Sequence, residues 1–475
     1  MRPGFLLLTL LFTLYACTSD PAPNTPTLTD APSHIKGNRA APEWAKDAVI
    51  YEVNIRQYTP EGTLNAFAEH LPRLADLGVD ILWLMPIYPI SEAKRKGTLG
   101  SYYAVSDFEA VNPEFGTKED FAQLIERAHG LGMKVILDFV PNHTGWDHKW
   151  LTEHKDYYTQ DEAGNVVDPQ DPETGESYGW TDVADLNYDN PEMRRALTDN
   201  LRYWIENYNV DGYRMDIAFG APDDFWAEAT KELRELKPDI FMLAESEERT
   251  HRNDNYFAAN YGWSFHHLMN AVAKGDTSAA AIKDWYAQNA RDYDRGFHMQ
   301  FITNHDENSW NGTIAERMGA NAQPMAVLSF TLEGMPLIYS GQEAGLNKRL
   351  KFFEKDEISF ADTTQYGFYR TLARLKSANA ALHNGTYGGD AVFHPNLGND
   401  PESSIAYSRT RGGQSVLVML NFGEAPATFQ LPGDSQLVGD WYDVFGGERR
   451  TLAGGQSIVV SPHGYLVLSS DLQGK

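Results

Sequence analysis

Charged and polar side chains lie at the ends of several short apolar segments of the sequence. Residues 134–140 contain Asp138 and are followed by Asn142 and His143. The other side chains of this kind are Arg214, Asp216, Glu245, Asn304, His305 and Asp306. If these segments are parallel strands of one barrel, their carboxyl ends meet on one rim, where barrel chemistry occurs. Carboxylates crowded on one rim repel one another, so we expect the set to have a catalytic purpose.

Two carboxyl groups and an arginine suit a double displacement at a sugar carbon. One carboxylate attacks in its ionised form, and a second carboxyl holds a proton for the departing oxygen. In retaining enzymes the two groups lie about 5–5.5 Å apart. Arg214 precedes Asp216 by two residues, so both point to one side of a strand and the arginine favours an ionised Asp216. A third carboxylate can stabilise positive charge on the ring.

The elements that would position these groups alternate between strands and helices. Apolar runs at 48–54, 80–86, 134–140, 210–217, 239–245, 298–303 and 336–340 predict buried parallel strands. Helical spacing of apolar residues appears between them, for example over 64–77 and 121–131. Seven or eight such units over roughly 340 residues fit a closed (β/α)8 barrel better than an open sheet.

Two regions depart from the barrel pattern. Residues 144–185 form a connection after the third strand that is too long for a simple loop, so we expect an inserted domain at the catalytic rim. From residue 384 to 475 the pattern becomes alternating, with Gly, Pro and Asn turns, which predicts a C-terminal antiparallel β-sandwich. The barrel itself then comprises 43–143 and 186–383.

The first 42 residues predict a targeting signal and a tether that are not part of a folded domain. Residues 1–17 resemble a bacterial lipoprotein signal, with an apolar run that ends at Cys17, the one cysteine of the sequence. The alternative is an ordinary secretory signal. Residues 18–42 are rich in Pro, Ser and Thr and predict an extended tether. We therefore expect an exported protein anchored to the cell envelope through lipid on Cys17, at the outer membrane or cell surface, with no other membrane contact.

Composition narrows the function classes. The 475 residues carry a formal net charge of −26, which repels phosphate backbones and excludes nucleic-acid binding. One cysteine excludes an intrachain disulfide and a cysteine-based zinc site. Aromatic residues make up 12%, and although most belong to the core, some suit flat sugar rings. The oligomeric state does not follow from the sequence.

Four ordered segments resemble the conserved regions of the α-amylase family, glycoside hydrolase family 13. They are 138–143 (DFVPNH), 212–216 (GYRMD), 243–245 (LAE) and 303–306 (TNHD). Flanking segments at 50–58, 100–117 and 336–343 are also similar to the family's first strand, second-strand region and eighth strand. The resemblance covers about residues 43–470 and implies a barrel with domain B at 144–185 and domain C at 384–475.

The resemblance also implies roles for individual residues. Asp216 would be the nucleophile, Glu245 the general acid and base, and Asp306 the group that stabilises the transition state. The substrate-binding residues that it implies, with Arg214 also holding Asp216 ionised, are Tyr103, Asp107, His143, Arg214, Asn304 and His305. Asn142, Asp185 and the Gly220 carbonyl match positions that hold calcium in many relatives. The alternative is that they only join domain B to the barrel.

Departures from the family pattern affect the expected substrate. Many α-amylases carry Lys and His three and four residues after the nucleophile, where this sequence has Phe219 and Gly220. These replacements favour short maltooligosaccharides as the substrate. The alternative is that other loops supply the contacts on the leaving-group side. Five tryptophans are candidates to line the cleft, and we expect one or two to do so: Trp146, Trp150, Trp180, Trp263 and Trp310.

The sequence thus predicts a retaining hydrolase of α-1,4-glucans or maltooligosaccharides. An exo-acting α-glucosidase, a cyclomaltodextrinase or an α-glucan transglycosylase stays open, because all would use the same three carboxylates. A non-catalytic glucan-binding lipoprotein is the alternative from another class. Retention of Asp216, Glu245 and Asp306 argues against it.

Overall fold

The computed structural model describes residues 25–31, 33–37, 40–171 and 174–471. The predicted signal with Cys17, and the start of the predicted tether, lie outside these residues. Within them, no helix has both the length and the apolar character needed to cross a bilayer.

Eight parallel strands form a closed barrel, which confirms the predicted fold class. The first ten strands are β1 (Ile50–Val53), β2 (Ile81–Leu84), β3 (Lys134–Phe139), β4 (His143–Gly145), β5 (Val183–Asp185), β6 (Gly212–Met215), β7 (Phe241–Ala244), β8 (Ala259–Tyr261), β9 (Phe297–Gln300) and β10 (Met335–Tyr339). All except β4 and β5 belong to the barrel, in the order β1-β10-β9-β8-β7-β6-β3-β2. Ile50, Ile81, Trp83, Phe241 and Met299 pack inside it.

One barrel strand has no counterpart among the predicted apolar runs. Strand β8 has three residues, and its central Asn260 is polar, so it lacks the continuous apolar pattern of its neighbours. Its pairing with β7 and β9 stabilises it as a strand, although its own residues do not predict one.

Helices surround the barrel. They are α1 (Ile55–Tyr58), α2 (Leu64–Ala68), α3 (Leu71–Leu77), α4 (Lys118–Gly130), α5 (Trp150–Glu153), α6 (Pro191–Tyr208), α7 (Asp223–Leu236), α8 (Arg249–Asn253), α9 (Trp263–Lys274), α10 (Ala281–Asp292), α11 (Ile314–Met318), α12 (Ala322–Thr331) and α13 (Tyr366–Ala378). The helix predicted over 64–77 divides into α2 and α3, because Pro72 has no N–H and lies in the first turn of α3. Helix α4 begins with a capping box between Thr117 and Asp120.

The excursion after β3 forms a small unit joined to the barrel by strands β4 and β5. These pair antiparallel, with His143 opposite Asp185 and Gly145 opposite Val183. Gly145 lies so close to Ser91 that a Cβ would be 2.3 Å from the serine Cβ. This pair therefore fixes the inserted unit against the segment after β2.

The C-terminal region is antiparallel. Its strands are β11 (Ala391–Phe393), β12 (Ser404–Arg411), β13 (Gln414–Asn421), β14 (Ala427–Gln430), β15 (Gly439–Asp443), β16 (Glu448–Leu452), β17 (Ser457–Val460) and β18 (Gly464–Ser469). Six form one sheet, β11-β12-β13-β18-β15-β16, and β14 pairs with β17. Leu417, Phe429, Trp441 and Leu468 fill the core between the two sheets.

Part of the predicted tether packs against the body of the protein. Ile35 is buried, the Lys36 N–H donates to the Asp294 carbonyl at 2.7 Å, and Gly37 pairs with Arg295. The His34 N–H donates to Asp390 Oδ2 at 2.7 Å. This differs from the unpacked tether expected over 18–42, because an apolar side chain and backbone hydrogen bonds hold residues 33–37 in place.

Candidate active site

A cleft of about 350 Å³ opens at the carboxyl ends of the barrel strands. Six of the predicted site residues line it: Tyr103, His143, Asp216, Glu245, His305 and Asp306. They come from the segments that follow β2, β3, β6, β7 and β9, which distant parts of the sequence supply. The closed barrel therefore brings the predicted groups together on one rim.

Arg214 lies beneath the cleft and contacts three carboxylates. Its Nη1 is 2.8 Å from Asp138 Oδ1 and 2.8 Å from Asp216 Oδ1. Its Nη2 is 2.8 Å from Glu245 Oε2. Asp216 and Glu245 thus bind the two terminal nitrogens of one guanidinium, which holds their carboxyl groups close together.

Arg214 does not fully offset the rise in pKa that burial causes in the neighbouring carboxyl groups. Burial raises the pKa of Asp216 well above its usual value, Arg214 lowers it, and the charges of Glu245 and Asp138 raise it again. Burial also raises the pKa of Asp138 to about 6. Arg214 therefore favours an ionised Asp216, as expected, but the free cluster keeps a proton to a higher pH than exposed carboxylates would.

The backbone after Asp216 takes an unusual conformation that contacts Glu245. Ile217 has φ of 44°, in the left-handed region that β-branched residues avoid. In this conformation its N–H donates to Glu245 Oε2 at 2.8 Å. The end of β6 therefore orients the carboxyl group that β7 carries.

Asp138 and Tyr103 connect the floor of the cleft to its wall. Trp83 Nε1 donates to Asp138 Oδ2 at 3.1 Å, and the Tyr103 hydroxyl donates to the same oxygen at 3.0 Å. The ring of Tyr103 stacks on His305 with centroids 5.4 Å apart. Tyr103 is thus held in the cleft wall by Asp138 and His305.

His305 lies between an unpredicted glutamate and the cleft. Its Nδ1 is 2.5 Å from Oε1 of Glu52, a buried residue of β1. Its Nε2 is 2.8 Å from the Tyr103 hydroxyl and 3.4 Å from Asp306 Oδ2. Asp306 is the most exposed of the three catalytic candidates, with 34% of its side chain accessible.

Three predicted substrate-binding residues do not line this cleft in the described part of the chain: Arg214, which lies beneath it, Asn304 and Asp107. Asn304 is fully buried, and its Oδ1 accepts the Glu307 N–H at 2.8 Å, so it shapes the turn that carries Asp306. Asp107 Oδ1 accepts the Glu109 N–H at 2.9 Å and stabilises its own turn. The side chains of Asn304 and Asp107 thus bond to nearby backbone, and their contact with a sugar stays a prediction.

Two of the five tryptophans reach the cleft. Trp180 and Trp310 line it, and Trp310 is 53% exposed while it packs against Phe352 and Phe353. Trp150 is buried, Trp263 packs against Tyr261 and Phe301, and Trp146 lies under Lys94.

The inserted unit closes one side of the cleft through an ion pair. Lys96 Nζ is 2.8 Å from Asp182 Oδ1 and also donates to the Gly179 carbonyl at 3.2 Å. Lys96 follows β2 and Asp182 belongs to the inserted unit, so the contact joins two walls. Neither this pair nor Glu52 was predicted from the sequence, where the one signal for Glu52 was an acidic residue inside an apolar strand.

Oxygen donors suited to calcium lie where the inserted unit meets the barrel. A Cβ at Gly220 would be 2.1 Å from Asn142 Oδ1, so only glycine permits the asparagine to approach there. Burial raises the pKa of Asp185 to about 6, and Asp168 adds to the rise. Asp185 makes no ion pair within residues 40–171 and 174–471. A half-buried carboxyl and an amide oxygen fit the chemistry of a calcium ligand set.

The sequence matches two described families. "Alpha amylase, catalytic domain" matches residues 37–374. "Maltogenic Amylase, C-terminal domain" matches residues 397–467. The first covers more than half of the chain.

Curated relatives include α-amylases of two microorganisms. The chain is 28% identical over 440 residues to the α-amylase MalA of Haloarcula japonica. This match covers 91% of this chain and 63% of that protein. It is 30% identical over 340 residues to α-amylase 3 of Dictyoglomus thermophilum, covering 64% of this chain and 65% of that protein. The chain thus spans less than two thirds of the length of these relatives.

Solved structures share the whole fold. A noncanonic maltogenic α-amylase of Thermotoga neapolitana is 27% identical with a TM-score of 0.78, and covers 90% of this chain and 99% of its own. An α-amylase of Lactobacillus plantarum is 28% identical with a TM-score of 0.77 and the same coverage.

Proposed function

This chain belongs to the α-amylase family, and we propose that it is a retaining hydrolase of α-1,4-glucans or maltooligosaccharides. One observation carries the proposal: Asp216 and Glu245 share the Arg214 guanidinium, each within 2.8 Å of it. A nucleophile and a proton donor held this close favour a covalent intermediate over direct attack by water, which needs more room between them.

The proposed reaction has two steps. Ionised Asp216 attacks the anomeric carbon while Glu245 gives its proton to the departing glycosidic oxygen, so the glycosidic bond breaks and a β-glycosyl ester forms. Glu245, now a carboxylate, then takes a proton from water, the water oxygen attacks the same carbon, and the ester bond to Asp216 breaks. Asp306 stabilises positive charge on the ring and binds its hydroxyl groups.

The length of substrate depends on the walls of the cleft. Phe219, 52% exposed, stands three residues after Asp216, where many relatives carry a Lys for the leaving-group side, and it would offer a sugar a flat apolar face instead of charge. Relatives named cyclomaltodextrinase, from Geobacillus thermopakistaniensis and a Bacillus species, are each 25% identical to the chain. A cyclomaltodextrinase or exo-acting α-glucosidase is therefore the second candidate.

A product time course tests the proposal. Protein lacking residues 1–17 is incubated with soluble starch, maltoheptaose, β-cyclodextrin and maltose, and the products are separated by anion-exchange chromatography. Early mid-length oligosaccharides support an endo-acting α-amylase. Glucose alone from the start, or cyclodextrin cleaved faster than starch, supports the second candidate, and products longer than the substrate indicate transfer. No change in any α-glucan contradicts the proposal.

Two variants separate catalysis from binding. Glu245→Gln removes the proton donor and should lower kcat at least a hundredfold while glucan binding persists, because general acid catalysis supplies about 10²–10⁴-fold. Glu247→Gln is the matched control, since its carboxylate accepts from Ser264 and does not line the cleft among the described residues. Undiminished kcat in Glu245→Gln would contradict Glu245 as the proton donor, whereas a wild type that binds glucan without turnover would support a binding protein.

We further propose that Asn142, Asp185 and the Gly220 carbonyl hold a Ca²⁺ ion. When bound, the ion would neutralise the charge of the half-buried Asp185 and fasten the inserted unit to the barrel. Added Ca²⁺ should raise the melting temperature of the wild type and not that of Asp185→Asn. If EGTA and Ca²⁺ give equal melting temperatures, these residues only join the two units.

The lipid anchor at Cys17 is also a proposal, supported by the sequence alone. In a bacterial host, radiolabelled fatty acid should enter the wild-type protein and move it to the membrane fraction. Cys17→Ser should lose the label. An unlabelled wild type would contradict the anchor and favour an ordinary secretory signal.

A further inference from the structure

Glu52 is a buried acid that the roles assigned above do not use. It lies within β1, which pairs with β10 and β2, and it is completely inaccessible to solvent. Its Oε1 is 2.5 Å from His305 Nδ1. Its Oε2 has no hydrogen-bond partner among the described residues. Burying an ionised carboxylate with one oxygen that lacks a hydrogen bond costs folding free energy. We therefore expect the charge of Glu52 to have a function.

The hydrogen-bond geometry around His305 favours one arrangement of its protons. The Tyr103 hydroxyl donates its one hydrogen to Asp138 Oδ2 at 3.0 Å. At the 2.8 Å contact with His305 Nε2 the phenol oxygen is therefore the acceptor, and Nε2 carries a hydrogen. At Nδ1 the neighbour is a carboxyl oxygen of Glu52, whose pKa burial raises and the His305 charge lowers. In its ionised form this oxygen accepts a second hydrogen. Both ring nitrogens are then protonated, and the ring is positively charged.

We propose that Glu52 is a positioning residue that holds His305 as an imidazolium, so that Nε2 always presents a hydrogen to the cleft. This hydrogen lies between the Tyr103 oxygen and Asp306 Oδ2, which is 3.4 Å from Nε2. There it donates to a sugar hydroxyl. The effect on turnover rests on the proposed function, whereas the charge on His305 does not.

The other charged groups near His305 act in both directions. Burial lowers its pKa, Asp306 and Glu52 raise it, Arg214 lowers it, and the result is a pKa of about 9. Asp138 lies on the same network through Tyr103. Because this folded pKa is raised above the ordinary value of 6.5, the charged form persists through neutral pH and is lost as pH rises through about 9.

Without the Glu52 charge, His305 should become neutral near pH 7. A glutamine at position 52 still accepts from Nδ1–H, so Nε2 would lose its hydrogen and become an acceptor. Tyr103 would then donate to Nε2 instead of Asp138, and no hydrogen would face the sugar. Glu52→Gln therefore reverses the hydrogen-bond direction at the cleft while it keeps the side chain's shape.

The direct test is ¹⁵N NMR of the whole protein with ¹⁵N-labelled histidine. The His305 signal is assigned as the one that disappears in His305→Gln. In the wild type at pH 7 both nitrogens should show imidazolium shifts and titrate near pH 9. In Glu52→Gln, Nε2 should shift to the unprotonated value at pH 7. A neutral His305 in the wild type at pH 7, or an unchanged signal in Glu52→Gln, overturns the proposal. The wild-type result decides it even if the variant does not fold.

Glu343→Gln is the matched control. Glu343 is also fully buried, also has an oxygen without a hydrogen-bond partner in the described structure, and pairs with Arg73 and Tyr51 away from His305. Both variants should lose stability, but only Glu52→Gln should change the His305 signal. Equal changes in both would mean a general structural effect and overturn the proposal.

A kinetic measurement shows the effect on turnover. The alkaline limb of kcat/KM should move by one or more pH units toward neutrality in Glu52→Gln, and kcat/KM at pH 8 should fall about tenfold to a hundredfold, as expected for a charge-assisted hydrogen bond. Glu52→Asp, which keeps the charge, should restore part of the limb. An unmoved limb overturns the proposal. Failure of the wild type to hydrolyse any α-glucan would reject the proposed function alone, because the NMR test needs no substrate.

Discussion

Ile217 shows how one residue can be unfavourable for folding and useful for catalysis. Its left-handed backbone directs an N–H to Glu245, although a β-branched side chain there is strained. The local pattern does not predict this conformation, since Ile217 ends an apolar run as an ordinary strand residue would.

Ile217→Gly tests that strain. Glycine adopts positive φ without a steric penalty, so the variant should be about 1 kcal/mol more stable to urea, from about 1–2 kcal/mol of relieved strain less its greater chain entropy. The N–H to Glu245 should persist, while KM rises because Ile217 lines the cleft. Val53→Gly, in regular β1, should instead lose stability. A destabilised Ile217→Gly would mean that its side-chain contacts outweigh the strain.

The other site residues differ in whether the local sequence predicts them or only the folded structure shows their partners. Asp216, Glu245, Asp306, His143 and His305 were predicted for the cleft because charged groups at strand ends can be recognised locally. Glu52 and the Lys96–Asp182 pair were not, since each matters through a partner that only the closed barrel brings near. Asn304 and Asp107 were predicted for the cleft but bond to nearby backbone, which a short polar side chain can always do.

The elements were predicted best where the pattern is continuous. The long apolar strands and α4 follow periodicity, whereas β8, with three residues, and the polar β16 do not. The break between α2 and α3 follows from Pro72 in the first turn of α3, a local signal that the apolar spacing over 64–77 obscured.

The contact between the inserted unit and the segment after β2 leads to an element-scale prediction. Lys96→Met leaves Asp182 largely buried without its cation, so the unfolding free energy should fall by about 1–3 kcal/mol and KM for maltoheptaose should rise. Asp182→Asn should do less, because no charge is stranded. In a double-mutant cycle the two should couple by about 0.5–3 kcal/mol. Additive effects would contradict a role for this pair in holding the cleft wall.

At the scale of the whole molecule, Arg409 joins the C-terminal sheet to the barrel. It is almost completely buried on β12, and it donates to the carbonyls of Gly389, Leu332 and His383 at 2.6, 3.0 and 3.1 Å. The sequence predicted both domains but not this connection, because a lone arginine in a strand gives no sign of its partners.

Arg409→Met should therefore destabilise the whole protein by about 2–5 kcal/mol, since several buried carbonyls lose their donor. We expect a single calorimetric transition at a lower temperature. Arg411→Met on the same strand is the control, because Arg411 is half-buried and its Nη2 donates to the Thr386 carbonyl at 3.1 Å. Two separate transitions in Arg409→Met, or a change no larger than that of the control, would contradict the role assigned to Arg409.

The stereochemistry of the first product tests the central claim most directly. Hydrolysis of 4-nitrophenyl α-maltoside or maltoheptaose can be followed by ¹H NMR at early times, before the released sugar mutarotates. Two displacements at one carbon, through the Asp216 ester, should release the α-anomer first. If the β-anomer appears first, water attacks the anomeric carbon directly, and the assignment of Asp216 as nucleophile is wrong.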